Sequence, residues 1–256
     1  MDPAFVALGL VVGTLVGMTG VGAGSLVTPA LVMSGVPPII AVGTDLAYAA
    51  ATKSVGALVH RAQRTLDLRV AGLLAAGSVP AAAFTIAVLA TTGGYARNSL
   101  ITGFLAAALI LTALALLAGR ARVEAFASRY EANVAPIRTA LTIASGAVLG
   151  VLVTITSVGA GALGAVLLVA LYPAMPAARV AGVDIAHAVP LTLVAGLGHL
   201  WLGNIDFALV LNLLAGSVPG IVAGSLLAGR FSDVLVRRVL ALVLFYAGAR
   251  LGFASI

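Results

Sequence analysis

Four ionisable side chains lie in otherwise apolar stretches of this sequence. Asp45 is followed two turns later by Lys53, the chain's single lysine, and His187 follows Asp184 by three residues. Within a helix, these spacings place each pair on one face. The carboxylates could relay protons, with His187 assisting, or they could brace nearby backbone N–H groups. Lys53 could pair with Asp45 or attract an anion.

Two glycine-rich strings could bind an anion through the backbone. Glycine lets the main chain approach a ligand closely, and the N-terminus of a helix that follows such a break offers free N–H groups to oxyanions. Alternatively, the glycines only permit tight helix packing. The candidate binding residues are Thr19, Gly20, Val21, Gly22, Gly24, Ser25, Thr156, Ser157, Gly159 and Gly161. The candidate coupling or gating residues are Thr44, Asp45, Lys53, Asp184, His187 and Arg250.

Other chemistries find no support in the sequence. The chain has no cysteine and three histidines, so we expect no disulfide, no thiol chemistry and no metal site. No Walker loop, His-Glu-x-x-His or Gly-x-Ser-x-Gly pattern occurs. We therefore expect no enzyme activity and no cofactor.

The composition requires a membrane around these residues. Hydrophobic residues make up 62% of 256 and charged residues 9%, whereas a soluble domain is about half apolar and a quarter charged. The mean hydropathy is +1.19. Such an excess of apolar surface is accommodated by lipid. The pI of about 10.5 then reflects loop arginines that set topology rather than nucleic-acid binding. The first residues carry no basic region, so we expect no cleaved signal peptide.

Eight apolar segments are expected. Six fit one crossing each: 38–60, 68–92, 98–118, 180–203, 206–229 and 235–254. The segments 4–34 and 137–171 are too long, since straight helices of that length would span roughly 46 and 52 Å against about 30 Å of hydrocarbon. Both contain a glycine string. The polar stretch 119–136 separates residues 1–118 from residues 137–256.

The two halves align as an internal repeat. A shift of 137 places the first glycine string, from Thr19, on the second, from Thr156. A shift of 139 aligns Asp45 with Asp184, and Ala76–Pro80 with Ala215–Pro219. Paired, glycine-interrupted segments in two halves are typical of a transporter's binding site.

Arginine placement indicates how the halves are oriented. If each long segment crossed once, the loops on the two faces would carry seven and five arginines. If each is a re-entrant hairpin, eleven arginines lie on one face and Arg97 alone lies on the other, as the positive-inside rule expects. A broken spanning helix remains the alternative. We predict an all-α polytopic protein of two inverted-topology repeats, each a glycine-broken re-entrant hairpin followed by three transmembrane helices. The linker 119–136 is then cytoplasmic and both termini are periplasmic.

The string Gly17–Leu26, followed by Pro29 and Ala41–Leu46, resembles the TauE/SafE sulfite and organosulfonate exporters, also called the toluenesulfonate uptake permease family. The resemblance extends over nearly the whole chain. It implies a secondary transporter of sulfite, thiosulfate or organosulfonates in a bacterial or archaeal inner membrane. Two departures concern the substrate: Gly22-Ala23-Gly24 stands where the family often has three glycines, and Asp45 where it often has a small polar residue.

Together these observations predict a carrier that works by alternating access. The substrate would be a small sulfur-containing anion, such as sulfoacetate, held between the two glycine breaks in a bacterial inner membrane. A carrier of carboxylates or other anions, or an anion channel on the same architecture, is the alternative. An intramembrane enzyme or a scaffold subunit is a further rival. The expected partners are the anion and the lipid bilayer, with a homodimer possible.

Overall fold

The computed structural model describes residues 2–19, 24–92, 94–227 and 233–254, and this part of the chain is helical without strands. The helices are α1 (Pro3–Thr19), α2 (Gly24–Met33), α3 (Pro38–Ala62), α4 (Leu68–Thr91), α5 (Gly94–Ala118), α6 (Arg120–Arg129), α7 (Glu131–Val134), α8 (Arg138–Thr156), α9 (Ala162–Leu171), α10 (Ala177–Trp201), α11 (Phe207–Leu227) and α12 (Asp233–Ala254). A 3-10 turn, Ala135–Ile137, joins α7 to α8. The polar stretch 119–136 therefore contains α6 and α7.

Length and composition make this a multi-pass membrane protein. Five stretches of the described chain are long and apolar enough to cross a bilayer: Leu68–Thr91, Asn98–Ala118, Glu131–Thr156, Ala177–Trp201 and Phe207–Gly224. α3 and α12, with 25 and 22 residues, are also long enough to span, but they carry more charged side chains. α2 and α9 have 10 residues each and reach about 15 Å, half a hydrocarbon layer.

Two helices, α4 and α11, begin with a side-chain cap directly after a short connection. The Asp67 carboxylate accepts a hydrogen bond from the Val70 N–H at the start of α4 (3.2 Å), and Asp206 accepts one from Leu209 at the start of α11 (3.0 Å). Each cap satisfies an N–H group that has no partner within the helix. The connections 63–67 and 202–206 have five residues each. Five residues are too few to cross the bilayer again, so α3 and α4 run antiparallel, as do α10 and α11.

The long helices pair between the two halves of the chain. α1 packs along α11, α8 along α4, α3 against α10, and α5 against α12. The central apolar cluster includes Leu46, Val153 and Leu191 from three different helices. Each half therefore buries much of its apolar surface against the other half.

The α1–α11 and α8–α4 pairs are parallel. Gly9 lies against the Leu213 backbone and Gly13 against Ser217, so contacts advance in the same direction on both helices. Gly146 and Gly150 lie against Leu74 and Ser78 in the same way. Side chains at these glycines would overlap the neighbouring backbone, so the helices approach as closely as small-xxx-small contacts allow.

The other two pairs are antiparallel. On α3, Gly43 lies against Asn204, beyond the end of α10, while Gly56 faces Ile185 near its start. On α12, Gly248 faces Ala106 and Ile110 of α5, and Gly252 faces Ala106. Contacts in both pairs therefore move in opposite directions along the two helices.

We predict that Gly77→Val will destabilise the protein, because an added Cβ would overlap the Ile143 carbonyl of α8. Overpacking of this kind costs about 1–3 kcal/mol. Gly72 lies on the same helix with no atom near its absent side chain, so Gly72→Val is the matched control. Thermal unfolding of the purified protein in detergent should show a lower midpoint for Gly77→Val alone. Equal midpoints for the two variants would contradict close packing of α4 on α8.

Candidate functional site

The second glycine string forms a non-helical break between α8 and α9. Ser157 ends α8 in the left-handed conformation (φ 57°), and Gly159 and Gly161 have φ values of 127° and 136°. The latter two values are rarely available to residues with a side chain. The Thr156 hydroxyl stabilises the turn locally: it donates to the Leu152 carbonyl (2.6 Å) and accepts from the Val158 N–H (3.1 Å).

Lys53 reaches this break from the other half of the chain. Its ammonium group donates a hydrogen bond to the Ala160 carbonyl (3.0 Å), between the two glycines of positive φ. The bond supplies a partner to a backbone oxygen that no helix satisfies. Lys53 also lies within electrostatic reach of both Asp45 and Asp184.

Asp184 approaches the same break from α10. Its carboxylate is 5% exposed and lies close to the Gly161 N–H, next to the start of α9. Gly164 leaves the room that this carboxylate occupies, because a methyl group at that position would overlap Oδ1. Among the described residues, Oδ1 has no hydrogen-bond partner. Asp184 is thus held beside the break with one carboxylate oxygen buried and unpaired.

Asp45 is the counterpart of Asp184 and is fully buried. Its Oδ2 accepts a hydrogen bond from the Thr28 hydroxyl of α2 (2.5 Å). The Ser157 hydroxyl of the second break lies near the same carboxylate, although Oδ1 has no well-formed hydrogen bond within the described part of the chain. Asp45 therefore links the short helix α2 to α3 and faces the break in the other half of the chain.

The charges of Asp45, Asp184 and Lys53 do not cancel. Two carboxylates share one ammonium group, so the cluster has a net charge of −1 when all three are ionised. Charge is expensive to hold in a low-dielectric interior unless it is compensated. The cluster is therefore suited to receiving one further positive charge.

A cavity of about 290 Å³ leads from the 119–136 side to this cluster. Gly161, Ala162 and Asp184 lie at one part of its lining, and Arg120 and Arg237 at another. Arg120 and Arg237 also line a wider cavity of about 560 Å³, together with Arg122 and Arg238. A ligand coming from this face thus passes arginines before it reaches the second break.

The remaining coupling candidates do not join the cluster. The Thr44 hydroxyl accepts from the Asp206 N–H (3.0 Å) and ties α3 to the start of α11. His187 is buried, and its Nε2 lies 3.0 Å from the Ser78 hydroxyl of α4. Arg250 is exposed on α12.

Much of the first glycine string lies outside the described residues. Gly20, Val21 and Gly22 belong to this part, as does the side chain of Thr19. Gly24 begins α2, and Ser25 is buried in its first turn. The predicted contribution of this string to a binding site stays a prediction.

Four contributors to the site were missed from the sequence. Thr28 and the Ala160 carbonyl bind ionisable groups 17 and 107 residues away, and no local spacing signals such contacts. Arg120 and Arg237 were interpreted only as topology signals. Their place on one cavity depends on the packing of α12 beside the linker.

Comparison with known proteins agrees with this architecture. The sequence profile described as Sulfite exporter TauE/SafE matches residues 5–251. The chain belongs to the TauE/SafE family. The family predicted from the first glycine string is therefore confirmed, and the match runs through both halves.

A curated relative of this TauE/SafE chain is the "Probable membrane transporter protein YjnA" of Bacillus subtilis (strain 168). It is 36% identical over 259 residues, which cover 98% of this chain and 100% of the relative. No solved structure matches the chain. This TauE/SafE member is a membrane transporter and not an enzyme.

We predict that Lys53→Met will destabilise the protein by leaving two buried carboxylates without their shared cation. Removing one partner of a buried ion pair costs about 3–5 kcal/mol, and the partial exposure of Lys53 reduces our expectation to about 2–3 kcal/mol. Adding Asp184→Asn should recover part of the loss by restoring charge balance. Arg250→Met, which removes an exposed cation, is the control.

Thermal unfolding midpoints of five proteins would measure this coupling: the unaltered protein, Lys53→Met, Asp184→Asn, the double variant and the Arg250→Met control. A double variant as unstable as the sum of its single changes would show that Lys53 and Asp184 act independently.

Proposed function

We propose that this protein is a secondary carrier of a small sulfur-containing anion, such as sulfite, thiosulfate or an organosulfonate. It would work by alternating access between two inverted repeats, with the anion held between their glycine breaks. The cavity that connects the arginines of the linker face to the second break is the observation that carries this proposal.

Helix directions support the inverted repeats. Under the 139 shift, α3 corresponds to α10 and α5 to α12, and both of these pairs are antiparallel. Equivalent contacts also recur: Gly43 lies against the Asn204 carbonyl, and Gly182, its counterpart, lies against that of Thr65. A two-fold axis in the membrane plane would generate both relationships.

The same directions favour hairpins over broken spanning helices. α1 runs parallel to α11, which is antiparallel to α10, which in turn is antiparallel to α3. α1 and α3 therefore point the same way, and the short helix α2 between them must return toward the side where α1 begins. The parallel α8–α4 pair gives the same result for α9. The proposed repeats are residues 1–118 and 137–256.

The electrostatics of the linker face favour an anion. Arg120, Arg122, Arg237 and Arg238 line the wider cavity, against one acid, Glu124, which binds Arg120 (3.4 Å). A cleft lined by one sign of charge raises the local concentration of the opposite ion. At the inner end, the α9 N-terminus and Lys53 lie beside the Asp184 carboxylate and offset part of its negative charge.

An inward-open carrier accounts for a cavity that opens on the linker face. The cavity described here reaches the break of the second repeat from the linker side. If the two repeats exchanged conformations, the equivalent route would reach the first break from the other side. Alternating access of this kind follows from rocking one repeat against the other around a shared site.

The arginine distribution favours a cytoplasmic linker and periplasmic termini. The bacterial inner membrane is the location that the family resemblance implies. A carboxylate carrier is the second candidate, because guanidinium groups bind carboxylates as well as sulfonates. A channel on the same frame is the other.

We predict that single cysteines will distinguish the hairpin from a broken spanning helix. The sequence contains no native cysteine, so Asp2→Cys, Ser34→Cys and Arg64→Cys each introduce one exposed thiol. Hairpin geometry places residues 2 and 34 on the periplasmic face and residue 64 on the cytoplasmic face. Labelling of intact cells with a membrane-impermeant maleimide should modify the first two only. Labelling of residues 2 and 64 from one side, and residue 34 from the other, would refute the hairpin.

We predict saturable flux and counterflow in liposomes that contain the purified protein. Preloading with unlabelled sulfoacetate should accelerate entry of labelled sulfoacetate, because a carrier reorients across the membrane faster with substrate bound than when it is empty. Sulfite, thiosulfate and taurine should compete, while matched carboxylates should compete weakly. Equal competition by carboxylates would favour the second candidate, and flux without saturation or counterflow would favour a channel. No flux of any anion would refute the proposed function.

A further inference from the structure

Charges of both signs line the cavity beside α9, and its arginines also line the wider cavity on the linker face. Among the described residues that line it, the charged side chains are Arg120, Asp184 and Arg237, and the intervening wall is mostly alanine, valine, leucine and isoleucine. A volume of about 290 Å³ lies near the lower limit of about 300 Å³ for small-molecule pockets. Its polar groups therefore suit the ends of a short molecule, and its walls suit an apolar middle.

Arg237 is the available cation at the mouth. Arg120 is already engaged, because it donates to the Met175 carbonyl (2.6 Å) and pairs with Glu124 (3.4 Å). Arg237 is exposed and forms no ion pair within the described part of the chain. Its guanidinium group can bind a sulfonate or carboxylate through two parallel hydrogen bonds.

Asp184 is the available acceptor at the inner end. It is 5% exposed, it lines the cavity, and its Oδ1 has no hydrogen-bond partner among the described residues. A simple anion at this point would meet a carboxylate. Lys53 cannot fully compensate, because it is shared with Asp45 and bonded to Ala160. A ligand amine in the cavity would supply the missing positive charge and bind the Asp184 carboxylate.

From this arrangement we infer that the preferred substrate is a short ω-amino acid, a zwitterion with a sulfonate or carboxylate at one end and an ammonium group at the other. Resting on the proposed carrier function, the inference specifies the substrate class of the same cavity and changes one detail of the binding: the ammonium end of the ligand, and not its acid group, lies at the second break. The acid group binds Arg237, the methylene carbons lie along the apolar wall, and the ammonium group binds Asp184. Every charge in the cavity then has an opposite partner.

A matched series of ligands tests the inference on the unaltered protein. In competition counterflow, taurine (2-aminoethanesulfonate) should give a half-inhibition concentration about tenfold below those of isethionate and ethanesulfonate, a difference of about 1.4 kcal/mol. β-Alanine should likewise compete better than propionate, with a lower half-inhibition concentration. The three sulfonates share their acid group and differ at the other end, so the comparison isolates the amine.

Two variants locate the effect. Asp184→Asn should make the half-inhibition concentrations of taurine and ethanesulfonate equal to within about twofold, whereas Asp67→Asn, at a helix cap away from the cavity, should retain the tenfold difference. Arg237→Gln should raise the half-inhibition concentrations of all three sulfonates about tenfold, as expected for loss of a charge-assisted contact. Arg238→Gln, the adjacent arginine outside the 290 Å³ cavity, is its control.

The outcomes separate this inference from the carrier proposal. If ethanesulfonate competes as well as taurine, the ligand amine has no role and the inference is wrong, although an anion carrier remains. If the taurine preference survives in Asp184→Asn, the assigned acceptor is wrong. If no sulfonate or carboxylate gives any flux, the carrier proposal itself fails.

Discussion

A helix that breaks inside hydrocarbon leaves backbone N–H and C=O groups that lipid cannot satisfy. In this protein the break between α8 and α9 is satisfied by other parts of the protein. Thr156 closes the turn locally, Lys53 binds the Ala160 carbonyl, and Asp184 lies beside the Gly161 N–H. The groups that permit the break are thus the charged groups at the end of the cavity, and they come from both halves of the chain. Site and fold depend on one set of contacts here.

The glycine contacts between helices make that arrangement possible. Because α1 and α8 lie directly on the backbones of α11 and α4, the long helices of opposite halves approach without intervening side chains. This close packing holds α3 and α10 face to face, with Asp45, Lys53 and Asp184 between them. Few of these contacts involve hydrogen bonds between side chains. The frame is therefore stabilised mainly by dispersion between closely fitted surfaces, as expected where lipid removes the hydrophobic drive for helix association.

Sequence reasoning succeeded where the signal was long or specific to a family. Apolar runs of membrane length predicted the candidate spans, and the string Gly17–Leu26 identified the TauE/SafE family. It failed for contacts that depend on how helices meet. Nothing near Thr28 indicates a partner 17 residues later, and nothing near Arg237 indicates that it shares a cavity with Asp184. The second set of glycines, including Gly146 and Gly150, was visible in the sequence, but apolar helices contain many glycines. Only the way in which one helix lies along the next identifies the glycines that touch a neighbouring backbone.

The pairing of helices from opposite halves of the chain also affects how the protein is synthesised and inserted. α1 leaves the ribosome well before its principal partner, α11, which is synthesised about 200 residues later. At about 5–20 residues per second, α1 waits at least ten seconds in the bilayer with its glycine face uncovered. α8 has no such delay, because α4 precedes it. The two halves are therefore unequal during biogenesis, and the N-terminal helix is the segment for which a membrane chaperone would have most use.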